Sequence, residues 1–241
     1  MGYLLLEGGA EFCGRMFEAD SRALALAGGA DAAVDIIPAA AAPDNNHHLA
    51  GQNGVQWFHR IGARKVVSRM LIDKASARQP ELARQLSHSR FVFMLGGFPS
   101  HLAQSLAGTP CWQSICSVFH GGGVIGGSSA GAMVLCDKFY DPFGKKIENG
   151  LNLLPGICII PHHDSTGCSC VKELRRLLPD CFLLGIDEQT GIINDSPSGG
   201  WTVYGGGAAV LYRRDNSRRY PAGKIIPHAE LPSPKLVLIN R

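Results

Sequence analysis

Ser129 lies in the run Gly127-Ser128-Ser129-Ala130-Gly131, which follows the pattern Gly-x-Ser-x-Gly. Small residues on both sides of a serine let the chain turn sharply between a strand and a helix, so the hydroxyl projects from the fold. The apolar pair Val124-Ile125 before the run predicts a strand, and residues 131–135 after it predict a helix. The pattern therefore predicts a nucleophilic serine, and the competing interpretation is a loop rich in glycine and serine.

A serine hydroxyl becomes a good nucleophile at neutral pH only when a neighbouring base accepts its proton. His162 and His163 follow the apolar stretch 158–161, where a parallel sheet places its functional loops, so either histidine is a candidate for the base. Such a base is held by a carboxylate, and Asp187 and Glu188 follow a second apolar stretch. The residues alone leave both pairs of alternatives open, beside the competing interpretation of loop histidines and turn acids.

Acyl transfer also needs hydrogen-bond donors for the oxyanion that forms on the attacked carbonyl group. The start of the helix after Ser129 supplies free backbone amides and a favourable dipole. The turn Gly96-Gly97, which follows the uninterrupted apolar stretch 91–95, is the best candidate for a second donor. The chain thus contains the parts of a serine hydrolase, in the order serine, histidine, acid.

Short apolar runs that alternate with longer helix-compatible stretches must position these residues. This alternation predicts an α/β fold of three layers, α/β/α, with a mainly parallel sheet. The predicted strands are residues 4–6, 33–38, 65–72 and 91–95, a short strand within 121–127, and residues 157–161 and 182–187. The predicted helices are residues 11–27, 51–62, 79–87, 111–119, 130–136 and 171–178. Short strands at residues 191–194, 201–204, 208–212 and 224–227 predict a C-terminal antiparallel extension.

Length, composition and charge restrict the class of protein further. The 241 residues are 45% hydrophobic and 18% charged, which suits a core without metals or disulfides, and we expect a single domain over residues 1–241. A net charge of +3 with scattered basic residues gives no indication of nucleic-acid binding. The eight cysteines are dispersed, and Cys168 and Cys170 are only a weak indication of zinc, so we expect no metal and no cofactor. Neither an export leader nor a membrane-spanning run is found, which predicts a cytoplasmic protein without a membrane partner.

These features, in this order, resemble the serine peptidase family that includes cyanophycinase and aspartyl dipeptidase (peptidase E). The fold of that family is flavodoxin-like and is related to that of the class I glutamine amidotransferases. The resemblance covers nearly the whole chain. The matching segments are, in chain order, Leu5-Leu6-Glu7-Gly8-Gly9, Leu95-Gly96-Gly97, Gly127-Ser128-Ser129-Ala130-Gly131-Ala132, Pro161-His162-His163 and Gly185-Ile186-Asp187-Glu188. The serine motif is the most specific of them, because amidotransferases of the related fold carry cysteine there.

Carried over residue by residue, the resemblance implies that Ser129 is the nucleophile, His162 the base and Glu188 the third member of the triad. It also implies that the backbone amides of Gly97 and Ala130 are the oxyanion donors. The implied reaction is hydrolysis of a peptide or isopeptide bond through an acyl-enzyme, without a cofactor. The expected partner is a small peptide substrate, with aspartyl peptides among the candidates, and a homodimer is compatible with the sequence.

Two segments depart from the cyanophycinase pattern on the substrate side. Cyanophycinase carries closely spaced arginines after its histidine, whereas here residues 164–170 intervene before the first basic residues. Those basic residues are Lys172, Arg175 and Arg176. Phe98 stands where cyanophycinase has polar residues that contact substrate, and His163 replaces the aromatic residue after the base. Phe98 and His163 are therefore candidate substrate-binding residues.

Two rival interpretations follow from the same sequence. The first is an esterase of the α/β-hydrolase type, in which Asp187 or Asp195 and then His228 follow the serine in the chain. The second is a non-catalytic relative that keeps the amidotransferase-like fold for ligand binding or assembly, because a fold does not determine a function.

Overall fold

The computed structural model describes residues 2–213, 216–231 and 234, and the strands and α-helices named here belong to these residues. The strands are β1 (Tyr3–Glu7), β2 (Ala33–Ile37), β3 (Lys65–Ser68), β4 (Phe91–Met94), β5 (Val124–Ser128), β6 (Lys138–Asp141), β7 (Lys146–Asn149), β8 (Ile157–Ile160), β9 (Phe182–Ile186), β10 (Thr190–Ile193), β11 (Trp201–Gly205), β12 (Ala208–Arg213), β13 (Asn216–Pro221) and β14 (Ile225–Ile226). The helices are α1 (Met16–Ala27), α2 (His47–Arg60), α3 (Pro80–Leu86), α4 (Pro99–Leu106), α5 (Pro110–His120), α6 (Ala130–Met133) and α7 (Val171–Leu177).

The strands form two larger sheets and a separate hairpin. The central sheet has eight strands in the order β14-β11-β10-β1-β5-β4-β2-β3. Within the group β1 to β5, all neighbouring strands are parallel. Strand β10 pairs with β1, β11 with β10 and β14 with β11, and all three pairings are antiparallel. A second sheet has the order β13-β12-β9-β8, and β6 pairs with β7. The predicted fold class, a mainly parallel sheet with antiparallel strands in the C-terminal part, is confirmed.

Strand β1 has side chains buried on both faces, which makes the central sheet the middle of three layers. Leu4 and Leu6 belong to the core cluster that includes Trp112 of α5, whereas Leu5 belongs to the cluster that includes Met16 of α1 and Phe58 of α2. Successive side chains of a strand point to opposite faces, so helices cover both faces of the sheet. The loops at the carboxyl ends of β1, β4 and β5 therefore meet at one edge of a fully covered sheet.

Helix α1 begins at Met16 and not at residue 11 as predicted. Ala10 and Phe12 have positive φ angles of 54° and 63°, so the chain turns between β1 and α1 before the helix begins. The sequence pattern alone does not reveal this turn, because its residues are also compatible with a helical start. The turn carries Glu11 to the carboxyl edge of the sheet.

Helix α6 ends at Met133, before the predicted end at residue 136. The backbone carbonyl of Leu135 accepts hydrogen bonds from the amides of Leu153 and Leu154, at 2.8 and 3.0 Å, and this pairing replaces a further helical turn. The sequence did not predict α4 or the β6–β7 hairpin, whose short segments lack a long apolar run. Among the described residues, no helix has the length and apolar character needed to cross a membrane.

Candidate active site

Ser129 occupies a sharp turn between β5 and α6. Its backbone has φ 48° and ψ −111°, a conformation that costs a non-glycine residue on the order of 1 to 3 kcal/mol. The amide of Ser129 donates a hydrogen bond to the carbonyl oxygen of Glu7 at 3.0 Å, which ties the turn to the end of β1. A Cβ atom on Gly131 would overlap the carbonyl oxygen of Met94, so the glycine lets α6 approach β4 closely. The surrounding fold thus holds Ser129 in its strained position.

His162 lies in the loop after β8 and also has a positive φ, of 50°. Its amide donates a hydrogen bond to the carbonyl oxygen of Gly8 at 2.7 Å, so the end of β1 holds the histidine as well as the serine. A Cβ atom on Gly9 would overlap the imidazole ring, which leaves glycine as the residue that fits there. The glycine turn after β1 therefore determines where the imidazole can lie.

Ser129, His162 and Glu188 are joined by two hydrogen bonds. The distance from Ser129 Oγ to His162 Nε2 is 2.9 Å, and that from His162 Nδ1 to Glu188 Oε1 is 3.0 Å. The amide of Glu188 donates a hydrogen bond to Asp164 Oδ1 at 2.9 Å, which anchors the acid to the histidine loop. When Nδ1–H donates to the carboxylate, Nε2 is left with a lone pair that faces the hydroxyl of Ser129.

Asp187 and His163 point away from this cluster and form a separate network. His163 Nδ1 lies 3.1 Å from Asp187 Oδ1, and His163 Nε2 lies 2.7 Å from the hydroxyl of Tyr212. Arg219 donates to the other oxygen of Asp187 at 3.1 Å. His163 is only 7% exposed and does not line the cavity beside Ser129, so the structure does not bring it to the place where a substrate would bind.

The amides of Gly97 and Ala130, the two predicted oxyanion donors, flank Ser129. Gly97 and Ser129 line the same cavity, and Ala130 is the first residue of α6. Within the described part of the chain, neither amide donates a hydrogen bond to another backbone carbonyl. Because α6 has only 4 residues, its dipole is small, and these two amides are the main groups that could stabilise an oxyanion here.

His228 lies far from Ser129. It follows β14, which is four strands from β5 in the central sheet, a separation of roughly 19 Å. The register also pairs Ile226 with Trp201, which places β14 at the end of the sheet opposite to the serine turn. Asp195 is paired with Arg22 at 2.6 Å. The esterase arrangement with His228 as base is therefore wrong, because the tertiary structure separates its parts.

A cavity of about 610 Å³ opens beside Ser129 and His162. Its walls come from α6, the β6–β7 hairpin, β8, the segment 166–170 and α7, with Pro99 at the start of α4. Phe98 does not line it directly but stacks on Phe143, which does, with ring centroids 4.3 Å apart. Among the described residues, no group of three or more histidine, cysteine, aspartate or glutamate side chains is arranged to hold a metal ion.

The family model that describes Peptidase family S51 matches residues 4–196, a range that contains Ser129, His162 and Glu188. The chain belongs to Peptidase family S51. It is 32% identical over 176 residues to the cyanophycinases of Synechococcus elongatus and Thermosynechococcus vestitus, over 68% of this chain and 53% of each relative. The chain thus spans about half the length of these two relatives. A cyanophycinase of Geminocystis herdmanii is 27% identical over 198 residues, 78% of this chain and 72% of that protein.

Solved structures agree with this assignment of the fold. A peptidase from an acI-B1 Actinobacterium is similar with a TM-score of 0.83 and 25% identity, over 94% of this chain and 97% of that one. A putative peptidase E protein from Listeria monocytogenes EGD-e is similar in fold, with a TM-score of 0.59 and 17% identity, over 92% of this chain and 98% of that one. The resemblance inferred from the sequence motifs is therefore confirmed.

Glu11 is a residue of this S51 site that sequence reasoning missed. Its Oε1 accepts a hydrogen bond from the amide of Gly96 at 3.3 Å. A Cβ atom placed on Gly96 would lie 3.0 Å from Glu11 Oε2 and 3.4 Å from Ser129 Cβ, so the carboxylate stands beside the serine turn. The only feature of the sequence that could have pointed to Glu11 is its position two residues after the Gly8-Gly9 turn. The helix predicted for residues 11–27 placed Glu11 at its first position instead.

A buried acidic pair, Glu7 and Asp20, lies next to the turn that carries Ser129. Both side chains are fully buried, and Trp57 Nε1 donates to one oxygen of Asp20 at 2.8 Å. Neither Glu7 oxygen has a hydrogen-bond donor among the described residues. Burial, reinforced by the neighbouring carboxyl, raises the pKa of Glu7 well above its usual value, and burial raises the pKa of Asp20 to about 7. A proton held between the two carboxyl groups would supply the missing donor.

The Glu7→Gln variant is expected to be more stable than the original chain at pH 8. Because the pKa values of Glu7 and Asp20 are raised in the folded state, the folded chain keeps a proton that the unfolded chain releases above about pH 4. The free energy of unfolding therefore falls as the pH rises from about 4 towards 7. The glutamine amide donates permanently to Asp20 and removes part of this loss. We expect a gain of about 1 kcal/mol or more at pH 8, or roughly 2 to 4 °C in Tm.

Thermal unfolding between pH 5 and pH 8 measures this effect, with Glu18→Gln as the matched control on α1. Glu18 is paired with Arg15 near the surface, and its substitution is expected to leave the slope of Tm against pH unchanged. A Glu7→Gln variant with an unchanged slope, or with lower stability at pH 8, would show that the pair does not share a proton.

Proposed function

We propose that this chain is a serine peptidase that hydrolyses a peptide or isopeptide bond of a small peptide through an acyl-enzyme. The observation that carries the proposal is the linked pair of hydrogen bonds from Ser129 Oγ to His162 Nε2, at 2.9 Å, and from His162 Nδ1 to Glu188 Oε1, at 3.0 Å. Membership of Peptidase family S51 and the similarity to proteins named cyanophycinase support the same class of reaction. The structural similarity to a protein named as a peptidase also supports it.

In the first half of the reaction, His162 Nε2 accepts the proton of Ser129 Oγ while the oxygen attacks the carbonyl carbon of the scissile bond. The tetrahedral oxyanion accepts hydrogen bonds from the amides of Gly97 and Ala130. Glu188 stabilises the imidazolium and holds its orientation through Nδ1. The proton on Nε2 then moves to the leaving amine as the carbon–nitrogen bond breaks, which leaves an ester on Ser129.

In the second half, a water molecule takes the place of the leaving amine beside His162. Nε2 accepts a proton from this water as its oxygen attacks the ester carbonyl, and the same two amides stabilise the second oxyanion. The intermediate collapses when the proton returns to Ser129 Oγ. The products are a carboxylic acid and the free enzyme, so no cofactor is needed.

A small peptide suits the dimensions and the charges around Ser129. The adjacent cavity of about 610 Å³ lies within the range of pockets that bind small molecules, roughly 300 to 1,000 Å³. The carboxylate of Glu11 beside the serine turn favours a cationic group close to the scissile bond. The free α-ammonium of a short peptide is such a group, and aspartyl peptides, including β-aspartyl-arginine, remain in the candidate set by similarity to cyanophycinase.

A fluorophosphonate probe tests whether Ser129 is activated. We expect one probe per chain, on the tryptic peptide that contains Ser129, because the Oγ atom attacks phosphorus as it would attack a carbonyl carbon. Intact-mass spectrometry measures the labelling, and liquid chromatography of a dipeptide panel that includes β-aspartyl-arginine and α-aspartyl peptides measures hydrolysis.

The neighbouring serine provides a matched control for the labelling. Ser128 is fully buried, so Ser128→Ala is expected to label like the original chain, whereas Ser129→Ala is expected to remain unlabelled. A folded protein that takes up no probe and cleaves no peptide would contradict the proposal and would favour a role in ligand binding or assembly.

A further inference from the structure

The cavity beside Ser129 has mostly apolar walls. Met133, Tyr140, Phe143, Ile160 and Leu174 all contribute to its lining. They come from α6, the β6–β7 hairpin, β8 and α7, whereas the segment 166–170 contributes the polar side chains of Thr166 and Ser169 to the same lining. Such a surface stabilises an apolar group that leaves water, in proportion to the apolar area that becomes buried.

Phe143 presents a large apolar surface at the mouth of this cavity. Its side chain is 62% exposed, although one face of its ring stacks on Phe98. The turn that carries it is held in place, because Asp141 accepts hydrogen bonds from the amides of Phe143 and Gly144 at 3.1 and 3.0 Å. An aromatic ring fixed and left open at the entrance of a cavity gains free energy when an apolar partner covers it.

The charged side chains of the lining also favour an uncharged ligand over an anion. Among the described residues, Glu173 is the carboxylate in the lining and His162 is the imidazole. No lysine or arginine of the described residues lines the cavity. Lys146 lies on the adjacent strand β7, but it is paired with Glu148 at 2.9 Å and does not reach the lining. A carboxylate that enters this cavity would lose water, gain no cationic partner and face another carboxylate.

The basic residues of α7 lie on the other side of the helix. Lys172, Arg175 and Arg176 line a separate cavity of about 510 Å³, whereas Glu173 and Leu174 face the cavity beside Ser129. At 100° per residue, these two sets fall on opposite faces of the helix. The cations that follow the histidine loop in the sequence are therefore turned away from the site in the fold.

We propose that the cavity beside Ser129 binds an uncharged, apolar or aromatic side chain next to the scissile bond and discriminates against an aspartyl side chain. This inference rests on the proposed function, because it names the side chain that the same site selects. Phe143 and Glu173 are its specificity-determining residues: one attracts an apolar group, and the other repels an anion.

Matched dipeptides test the inference at both positions that flank the scissile bond. The two series are Xaa-Ala and Ala-Xaa, in which Xaa is phenylalanine, asparagine or aspartate. At one of the two positions we expect kcat/KM to be at least about 100-fold higher for phenylalanine than for aspartate, because an unpaired carboxylate costs several kcal/mol to bury. Asparagine is expected to exceed aspartate by about tenfold, which isolates the effect of the charge.

Two substitutions connect the preference to its residues. Phe143→Ala is expected to lower kcat/KM for the phenylalanine peptide about tenfold. Phe17→Ala is the control, because Phe17 is also an exposed phenylalanine, 54% exposed on α1, but lies outside the cavity. Glu173→Arg is expected to shift the ratio of aspartate to asparagine at least about tenfold towards aspartate. Asp180→Arg, beyond the end of α7 and outside the lining, is expected to leave the ratio unchanged.

Binding of the same peptides to the Ser129→Ala variant, measured by calorimetry, separates this inference from the proposed function. Tighter binding of the phenylalanine peptide without any hydrolysis by the original chain would uphold the cavity and overturn the peptidase. Hydrolysis with equal or better use of aspartate at both positions would overturn the cavity alone. Absence of both binding and hydrolysis would overturn both.

Discussion

Replacing Ser129 with alanine is expected to lower kcat/KM for the best peptide substrate by about 10⁴-fold or more. The alanine side chain cannot form the ester on which both halves of the reaction depend, and the amides of Gly97 and Ala130 remain to catalyse only a direct attack by water. The fold is expected to tolerate the change, because within the described ranges the hydroxyl group has a single hydrogen-bond partner, His162, and is not part of the core. Steady-state hydrolysis of the best substrate measures the loss.

Ser128→Ala is the matched control for this loss. The side chain of Ser128 is fully buried in β5 beside Glu7 and takes no part in the contacts of Ser129 with His162 or of His162 with Glu188, so its removal leaves these contacts intact. We expect kcat/KM of this variant to stay within about tenfold of the original. Hydrolysis that survives Ser129→Ala at full rate would remove Ser129 from the mechanism.

The second large effect separates the two adjacent histidines. His162→Ala is expected to lower kcat by about 10⁴-fold, because no other base of the described residues contacts Ser129 Oγ. His163→Ala is expected to lower kcat by less than about tenfold, since its ring contacts Asp187 and Tyr212 and not the serine. Its expected cost is in stability, about 1 to 3 kcal/mol, because the buried Asp187 loses a hydrogen-bond partner.

Paired measurements of kcat and of Tm distinguish these outcomes. His162→Ala is expected to change Tm little, because its ring is partly exposed and its hydrogen bonds within the described part of the chain go to Ser129 and Glu188. His228→Ala serves as a further control, since β14 places this residue at the opposite end of the sheet. A loss of kcat that follows His163 or His228 instead of His162 would refute the proposed assignment of the base.

Much of the fold could be predicted because the central strands are buried on both faces. Such strands appear in the sequence as short uninterrupted apolar runs, as in 91–95, and the residues that follow them mark the functional edge of the sheet. The short elements could not be predicted in this way. The turn before α1 and the β6–β7 hairpin depend on backbone angles and pairing partners that no local pattern specifies, and these elements carry Glu11 and Phe143.

The sequence by itself determined which residue types take part in the site. The serine motif, the adjacent histidines and the adjacent acids are all readable from spacing and apolar context, and they led to the S51 family. Local spacing could not choose within the pairs His162/His163 and Asp187/Glu188, for which the choice of His162 and Glu188 came from the family resemblance alone. Neighbouring residues at a strand end point in opposite directions, so spacing does not tell which of them faces the serine. Their orientation depends on long-range contacts, such as the bond from the His162 amide to Gly8.

The tertiary structure also decided the chemistry of the cavity. The basic residues of α7 follow the histidine loop closely in the chain, yet the rotation of the helix turns them to another surface and leaves Glu173 beside the site. Residue types in a sequence define what chemistry is available, whereas packing determines which groups face one another. For Ser129 the sequence supplied the proposed nucleophile. Only the assembled fold showed that Ser129 stands next to a cavity rich in apolar side chains, whose lining includes no lysine or arginine of the described residues.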